Sequence, residues 1–357
     1  MRKTGPLSLF LSLMVVFGVV LAACGGSSTT SGSSSSTSAV KTVTLVTDIG
    51  GLNDQSFNQS AYVGYTKAMN EFKFPRKVIE TTSESDYVSN LTRAAQTSDM
   101  IIGVGFLMAS AMDTVAKQYP TKDFALIDSC PPSPTNSNNC DPLKNVAPLT
   151  FKEEQAGCLA GVVAGELETM GKSKIPGLLG HNTIGAVGGI SIPSVNRYIA
   201  GYQYCSKKVD PTITMKLNYS QTFDGTAKCE DAANSQIDQS KADIIFQVAG
   251  GCGLGVLQAA QAKGVYSVGV DSDQSSVNSS VITSAIKRVD QAVYLTTKDF
   301  EAGKYSSNPP VFSLVNDGVG VGKLSSVVPS AVVTPILNQY IQDMKSGKLV
   351  VPDTIQK

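Results

Sequence analysis

The stretch VTLVTDIGG at residues 43–51 decides the fold of this chain. Its first five residues are apolar or β-branched, which favours a buried β-strand. An aspartate and two glycines then turn the chain, and residues 58–72 place apolar side chains at helical spacing. A buried strand that leads through a turn into a helix is the repeating unit of a parallel α/β sheet. We therefore expect the chain beyond it to repeat this unit.

The expected alternation of strands and helices continues along the chain. Further strands are expected at residues 77–80, 100–104, 124–127 and 146–149, with helices at 87–97 and 109–118. After a long helix at 153–167, strands are expected at 184–187, 213–219, 243–248, 266–270 and 281–284, and helices at 194–208, 226–239, 254–262, 290–302 and 335–345. About 320 residues follow the N-terminal segment, more than one core usually serves. The sequence therefore predicts an α/β fold of two doubly wound parallel-sheet lobes, with ligands at the carboxyl ends of the strands.

The helix at residues 153–167 has glycines at every fourth position, Gly157, Gly161 and Gly165. A glycine inside a helix costs roughly 1 kcal/mol relative to alanine. The close approach of a neighbouring backbone would offset this cost, so we expect another element to pack against the glycine face.

The N-terminus has the features of an export signal. A basic start, Met1-Arg2-Lys3, precedes an apolar run at 7–20 that is too short for a comfortable membrane span and ends at Leu21-Ala22-Ala23-Cys24. This pattern is similar to a lipobox, so residues 1–23 are expected to be a lipoprotein signal peptide and Cys24 the lipidated residue. Residues 24–40, rich in Gly, Ser and Thr, are expected to be a tether. The alternative is an ordinary signal peptide with an incidental cysteine.

The charge balance and the missing motifs exclude several functions. Lys plus Arg equals Asp plus Glu at 29 each, without a basic block, so we do not expect a nucleic-acid partner. The sequence contains no GxSxG, P-loop or HExxH motif, and His181 is its only histidine. We therefore expect neither an enzyme nor a cofactor, although a nucleoside- or sugar-cleaving enzyme that uses carboxylates stays an alternative.

Six cysteines follow Cys24, an even number that suits disulfides in an exported protein. Zinc is the competing interpretation, but no CxxC pair is present. Cys130 and Cys140 flank a loop rich in Pro, Ser and Asn, and Cys229 and Cys252 each open a helix at the same expected edge. The predicted pairs are Cys130–Cys140, Cys229–Cys252 and Cys158–Cys205.

The loop at residues 47–59 offers carboxylates and amides beside an aromatic ring, Phe57. This composition fits a ligand site that includes Asp48 and Asn58, and it fits a second interpretation equally well. The alternative is a helix cap formed by Ser56 or Asp54, with Phe57 buried in the core.

Two further loops follow strands. Residues 248–255 suggest a dinucleotide fingerprint, but Val256 stands where its third glycine belongs, so we expect backbone amides to meet a polar ligand group instead. Asp271 ends another strand, and Lys287 follows the next. A carboxylate and an ammonium together suit vicinal hydroxyls, although a surface salt bridge is the alternative.

These motifs, in order, resemble the basic membrane protein family, also called PnrA-like lipoproteins. The resemblance extends from about residue 43 to 303. It rests on residues 48–59, 103–106, 124–128, 153–161, 192–193 with Gly201, 269–274 and 287–290. It implies a type I periplasmic-binding-protein fold with a hinge and an interlobe cleft, and a solute-binding protein that serves an ABC transporter permease.

The resemblance also implies a purine nucleoside as ligand and a role for each site residue. Phe57 and Phe223 would sandwich the base. Asp48 would hydrogen-bond it, assisted by Asn58. Asp128, Asp271 and Lys287 would hold the ribose, and Gly251 would approach through its backbone.

For such a fold we expect lobe 1 at residues 41–150 and 285–325, and lobe 2 at 151–284 and 326–357. The chain should cross between the lobes near 149–152, 284–288 and 320–326.

Overall fold

The computed structural model describes residues 41–136 and 139–356. The predicted signal peptide, Cys24 and the tether up to residue 40 lie outside the described residues. No helix in these two ranges is long and apolar enough to cross a membrane.

The first sheet is parallel and contains the stretch at residues 43–51. Its strands are β1 (Val43–Val46), β2 (Val78–Ile79), β3 (Met100–Val104), β4 (Asp123–Ile127) and β5 (Val146–Leu149), with helices α1 (Phe57–Phe72), α2 (Tyr87–Thr97) and α3 (Ala109–Gln118). The strand order is β2-β1-β3-β4-β5. The order reverses between β1 and β3, so this sheet has its switch point at the end of β1, where ligands of such sheets bind.

The second sheet repeats this arrangement. Its strands are β6 (Thr183–Gly188), β7 (Thr214–Tyr219), β8 (Ile244–Val248), β9 (Tyr266–Asp271), β10 (Val281–Lys287) and β11 (Val319–Val321). The helices along this part are α4 (Glu153–Met170), α5 (Pro193–Val209), α6 (Ala227–Ser240), α7 (Gly253–Lys263), α8 (Val289–Glu301) and α9 (Ser330–Lys345). The order is β11-β10-β9-β8-β6-β7, with a switch point between β6 and β8. The prediction of an α/β fold with parallel sheets is confirmed.

One strand differs from the rest in direction and corrects the expected lobe boundary. β11 pairs antiparallel with β10, so residues 319–321 belong to the second sheet, although residues 285–325 were expected in lobe 1. The crossing predicted at 320–326 is therefore wrong. A bridge between Phe151 and Phe312 instead joins two strand-like segments. The amide of Lys152 donates to Phe312 O at 2.8 Å. We propose that this bridge accompanies the crossing at 149–152, and the remaining division into lobes stays a prediction.

The glycine face of α4 packs against α5, as the spacing predicted. A Cβ at Gly157 would overlap the carbonyl oxygen of Tyr198, and one at Gly161 would overlap that of Tyr202. The contact is reciprocal, since a Cβ at Gly201 would overlap Glu154 O. The two helices therefore approach at backbone distance, which holds the first turn of α4 and Tyr198 in fixed relation.

The structure joins the six later cysteines in the three predicted pairs. Cys158–Cys205 ties α4 to α5 with an Sγ–Sγ distance of 2.01 Å, Cys229–Cys252 ties α6 to the turn before α7 at 2.02 Å, and Cys130–Cys140 closes a loop at 1.95 Å. The second of these pairs anchors the loop after β8, which reaches the cavity described below.

A pair of buried carboxyls lies at the far end of α4. Glu168 is 8% exposed and Asp243, just before β8, is fully buried. Asp243 Oδ2 accepts from the Leu179 amide at 2.6 Å, whereas Asp243 Oδ1 and Glu168 Oε1 lack a hydrogen-bond partner in the described part of the chain. Burial, followed by the neighbouring Asp243, raises the pKa of Glu168. The two carboxyls are therefore expected to share a proton at neutral pH.

Candidate functional site

Residues from the switch points of both sheets line one cavity. The first sheet contributes the loops after β1 and β3, and the second contributes those after β6 and β8. The cavity therefore lies where the topology of each sheet places a ligand.

All eight residues that the sequence predicted for ligand binding line this cavity. They are Asp48, Phe57, Asn58, Asp128, Phe223, Gly251, Asp271 and Lys287. The structure thus brings together residues up to 239 positions apart (Asp48 to Lys287, 287 − 48). Their contact with a ligand stays a prediction.

Asp48 presents one oxygen to the cavity. Its Oδ1 accepts hydrogen bonds from the hydroxyl of Tyr87 and, at 2.8 Å, from the Ile49 amide. Its Oδ2 lies against Gly105, where a Cβ would overlap it, and accepts no hydrogen bond from the described residues. Burial raises the pKa of Asp48 to about 7, although the Tyr87 hydrogen bond lowers it. Asp48 can therefore offer a single acceptor to a ligand N–H when it is ionised.

Asn58 is fixed by the backbone of the same loop. Its Oδ1 accepts from the Asp48 amide at 3.2 Å and its Nδ2 donates to Ile49 O at 3.2 Å. An amide nitrogen has two hydrogens, so one donor remains beside the Asp48 carboxylate. The pair offers an acceptor and a donor side by side.

The helix-cap alternative for this loop holds for Asp54 but not for Phe57. The Asp54 carboxylate accepts from the amides of Ser56, Asn58 and Gln59 at 2.8–3.0 Å, so it caps α1. Phe57 is only half-buried and lines the cavity. The cap therefore holds the ring at the cavity wall.

Phe223 enters the cavity from the second sheet. A Cβ at Gly189, after β6, would overlap its ring, and the Cys252 amide donates to its carbonyl at 3.1 Å. Its ring is half-buried. Two phenylalanines from different sheets therefore line the same cavity, an arrangement that suits a flat aromatic ligand.

A buried charge cluster forms another part of the wall. Lys287 is 2% exposed, and its Nζ lies 2.5 Å from Asp128 Oδ1 and 3.3 Å from Glu153 Oε1. Burial alone would lower the pKa of Lys287, but Asp128, Glu153 and Asp271 outweigh it and raise the pKa. The ammonium is therefore charged. The alternative of a surface salt bridge is wrong, because Lys287 and the carboxylates around it are buried.

Asp271 ends β9 beside this cluster. Its Oδ2 accepts from Ser56 Oγ at 2.5 Å and its Oδ1 from the Tyr198 hydroxyl at 3.2 Å. Burial raises its pKa to about 6, while Lys287 lowers it. Asp128 and Asp271 both have left-handed backbones, with φ of 70° and 62°. Few residues other than glycine adopt this backbone conformation, and both aspartates that do so here line the cavity.

Sequence reasoning missed several lining or supporting residues. Tyr198 and Phe106 line the cavity, and Tyr87 and Glu153 contact residues that do. Tyr87 and Tyr198 lie on the buried faces of helices, so their positions in the sequence pattern are the same as those of ordinary core residues. Phe106 follows the strand Met100–Val104 after one glycine, so its place after a strand was the one usable indication.

The described ranges contain no cluster of His, Cys, Asp and Glu that could hold a metal ion. The arrangement of aromatic rings, one amide and several carboxylates offers stacking and hydrogen bonds to a neutral polar ligand. Two parallel α/β sheets whose switch points line one such cavity are typical of the class of solute-binding proteins.

Comparison with known proteins places the chain in one family of this class. Residues 41–354 match the family of PnrA-like ABC transporter substrate-binding proteins, and the chain belongs to this family. It is 32% identical to a CD4+ T-cell-stimulating antigen of Listeria monocytogenes over 98% of this chain and 99% of the relative. It is 29% identical to the ABC transporter nucleoside-binding protein BmpA of Lactococcus lactis, over 86% and 88%.

Other relatives are named lipoproteins, among them an uncharacterised one of Pyrococcus furiosus with 32% identity over 92% of this chain and 79% of the relative. The crystal structure of an ABC transporter solute-binding protein from Aeropyrum pernix superposes with a TM-score of 0.77 at 25% identity, covering 87% of this chain and 94% of that one. The chain is therefore a solute-binding protein of an ABC transporter family.

Proposed function

We propose that this protein is a lipid-anchored receptor that binds a purine nucleoside between its lobes and delivers it to an ABC importer. The observation that supports the ligand most directly is the pairing of Phe57 and Phe223 in one cavity with carboxylates nearby. Aromatic side chains bind the flat face of a base, and carboxylates bind its N–H groups and sugar hydroxyls.

The division of the cavity supports a ligand with two chemically different ends. Asp48 and Asn58 offer an acceptor and a donor, which suits the edge of a purine. Asp128, Asp271 and Lys287 offer charged acceptors and a donor, which suits the vicinal hydroxyls of ribose. A nucleoside would use both ends, whereas a free base or a free sugar would use only one.

The transport role rests on the family and on the N-terminus. BmpA of Lactococcus lactis is named as a nucleoside-binding protein, and the family model is one of ABC transporter substrate-binding proteins. Cys24 after an apolar run supports a lipid anchor, with palmitate among its acyl chains, on the extracytoplasmic face of the cell membrane. The partners would then be the permease and, through the anchor, the membrane.

A thermal-shift screen with nucleosides, free bases and sugars tests the ligand class. Inosine or guanosine should raise the melting temperature, because a ligand at a hundredfold excess over its dissociation constant adds roughly 2.7 kcal/mol. A response to sugars alone would refute the nucleoside proposal. Chromatography of the incubated nucleoside should show no free base, and release of base would favour the cleaving-enzyme alternative. Import of labelled nucleoside that persists after gene deletion would favour a surface sensor.

A further inference from the structure

Lys287 has two carboxylate partners that belong to different parts of the fold. Asp128 follows β4 of the first sheet, whereas Lys287 ends β10 of the second. Glu153 lies in the first turn of α4, which packs against α5 and β10. Lys287 and Glu153 therefore belong to the same packed unit, and Asp128 reaches them from the other sheet.

The burial of the Glu153 carboxylate is energetically unfavourable. Glu153 is fully buried, and burial raises its pKa above the ordinary range. Its Oε1 lies 3.3 Å from Lys287 Nζ and its Oε2 lies 3.5 Å from Arg197 Nη1. Neither oxygen has a hydrogen bond of good geometry in the described residues. A buried carboxylate is costly unless it is paired, so its place beside the lysine calls for an explanation.

Aromatic rings surround the ammonium of Lys287. The Nζ of Lys287 lies 4.9 Å from the ring centres of Phe57 and Phe151 and 5.8 Å from that of Tyr198. These rings exclude water from the ammonium, so its direction depends on its charged neighbours. Asp128 accepts a hydrogen bond from the ammonium, and Glu153 attracts it by charge at 3.3 Å, so N–H groups of Lys287 remain for a ligand in the cavity.

We propose that Glu153 is a positioning residue that holds the ammonium of Lys287 toward the sugar end of the ligand. Glu153 lies on α4, which packs against β10, the strand that ends at Lys287. It therefore keeps the ammonium paired whenever the sheet that bears Asp128 moves away. This inference rests on the proposed function, because it assigns Glu153 to the ribose end of that site.

The test compares Glu153→Gln with Glu154→Gln by calorimetric titration with inosine and hypoxanthine. Glu154 is the matched control, since it is the next residue on α4, is also buried and pairs with Lys152 rather than Lys287. Loss of the charge at 153 removes one of the two carboxylates that orient the ammonium, so inosine should bind about five- to tenfold more weakly, roughly the worth of one hydrogen bond between Lys287 and the ligand. Hypoxanthine, which has no ribose, should bind as it does to the wild type, and Glu154→Gln should change neither affinity.

A double-mutant cycle separates positioning from a general structural effect. In a Lys287→Met background, Glu153→Gln should cause no further loss of inosine affinity, because the group that it positions is gone. Equal losses for inosine and hypoxanthine, or additive losses in the double variant, would overturn the inference. If Glu153→Gln does not fold, Glu153→Asp keeps the charge but shortens the reach, and it should show the same loss confined to inosine.

The wild type distinguishes this inference from the proposed function. If the wild type binds no nucleoside, the proposed function fails and the inference fails with it. If the wild type binds inosine and Glu153→Gln binds it equally well, only the inference fails.

Discussion

Replacement of Phe57 by alanine removes one aromatic wall of the cavity. The ring is half-buried and is held there by the Asp54 cap of α1. Stacking of a base on an aromatic side chain is worth roughly 1–3 kcal/mol, so the affinity for inosine should fall about 5- to 150-fold. Hypoxanthine should lose the same factor, because the stacked part of the ligand is the base.

The control for this prediction is a phenylalanine of the core. Phe74 is 3% exposed and packs edge-on against Tyr65, with 5.5 Å between ring centres. Phe74→Ala should lower the free energy of unfolding by about 3–5 kcal/mol and leave the affinity unchanged. Phe57→Ala should cost less stability than this, because its ring buries less surface.

Calorimetric titration and urea denaturation of the two variants measure both quantities. If Phe57→Ala destabilises the protein as much as Phe74→Ala and binds inosine like the wild type, Phe57 is a core residue and the stacking argument is refuted.

Three further predictions concern Asp48 and the carboxyl pair at Glu168. Gly105→Ala should abolish binding, since its Cβ would overlap Asp48 Oδ2, whereas Gly320→Ala meets no neighbouring atom and should bind normally in the same titration. Inosine affinity should rise as pH increases through about 7, where Asp48 ionises. Tyr87→Phe should move this midpoint to higher pH, because it removes a hydrogen bond that lowers the pKa of Asp48. An inosine affinity that stays constant from pH 6 to 8 would count against this prediction. Burial raises the pKa of Glu168, so above about pH 4.5 the folded protein keeps a proton that the unfolded chain loses. The free energy of unfolding of the wild type should therefore fall as pH rises. Glu168→Gln should therefore gain stability in urea melts, more at pH 9 than at pH 5, and an equal gain at both would be inconsistent with proton uptake.

Much of the fold could be predicted from local sequence, because a buried parallel strand and the helix after it each have a distinct pattern. Residues 43–51 predict both the strand and the turn that places Asp48 at its end. The glycines of α4 predicted a close neighbour because their cost demands one. The short antiparallel strand Val319–Val321 was missed, since three residues show no periodicity and the pairing depends on β10.

Asp48 and Asp271 were predicted because each stands at the end of an expected strand, whereas a role for Asp128 was expected only from the family resemblance. Residues that act through a neighbour could not be found in this way. Glu153 and Tyr87 lie on helices, and their importance depends on a partner distant in sequence, such as Lys287 for Glu153. Such contacts are set by how α4 and α2 pack, which a single sequence does not specify.

The central claim is that one interlobe cavity binds a purine nucleoside by its base and its ribose together. Calorimetric titration of the purified protein with inosine, hypoxanthine and ribose tests it most directly. We predict one saturable site for inosine, weaker binding of hypoxanthine and no measurable binding of ribose. Ribose binding as tight as inosine binding, or no heat with any purine nucleoside, would contradict the claim.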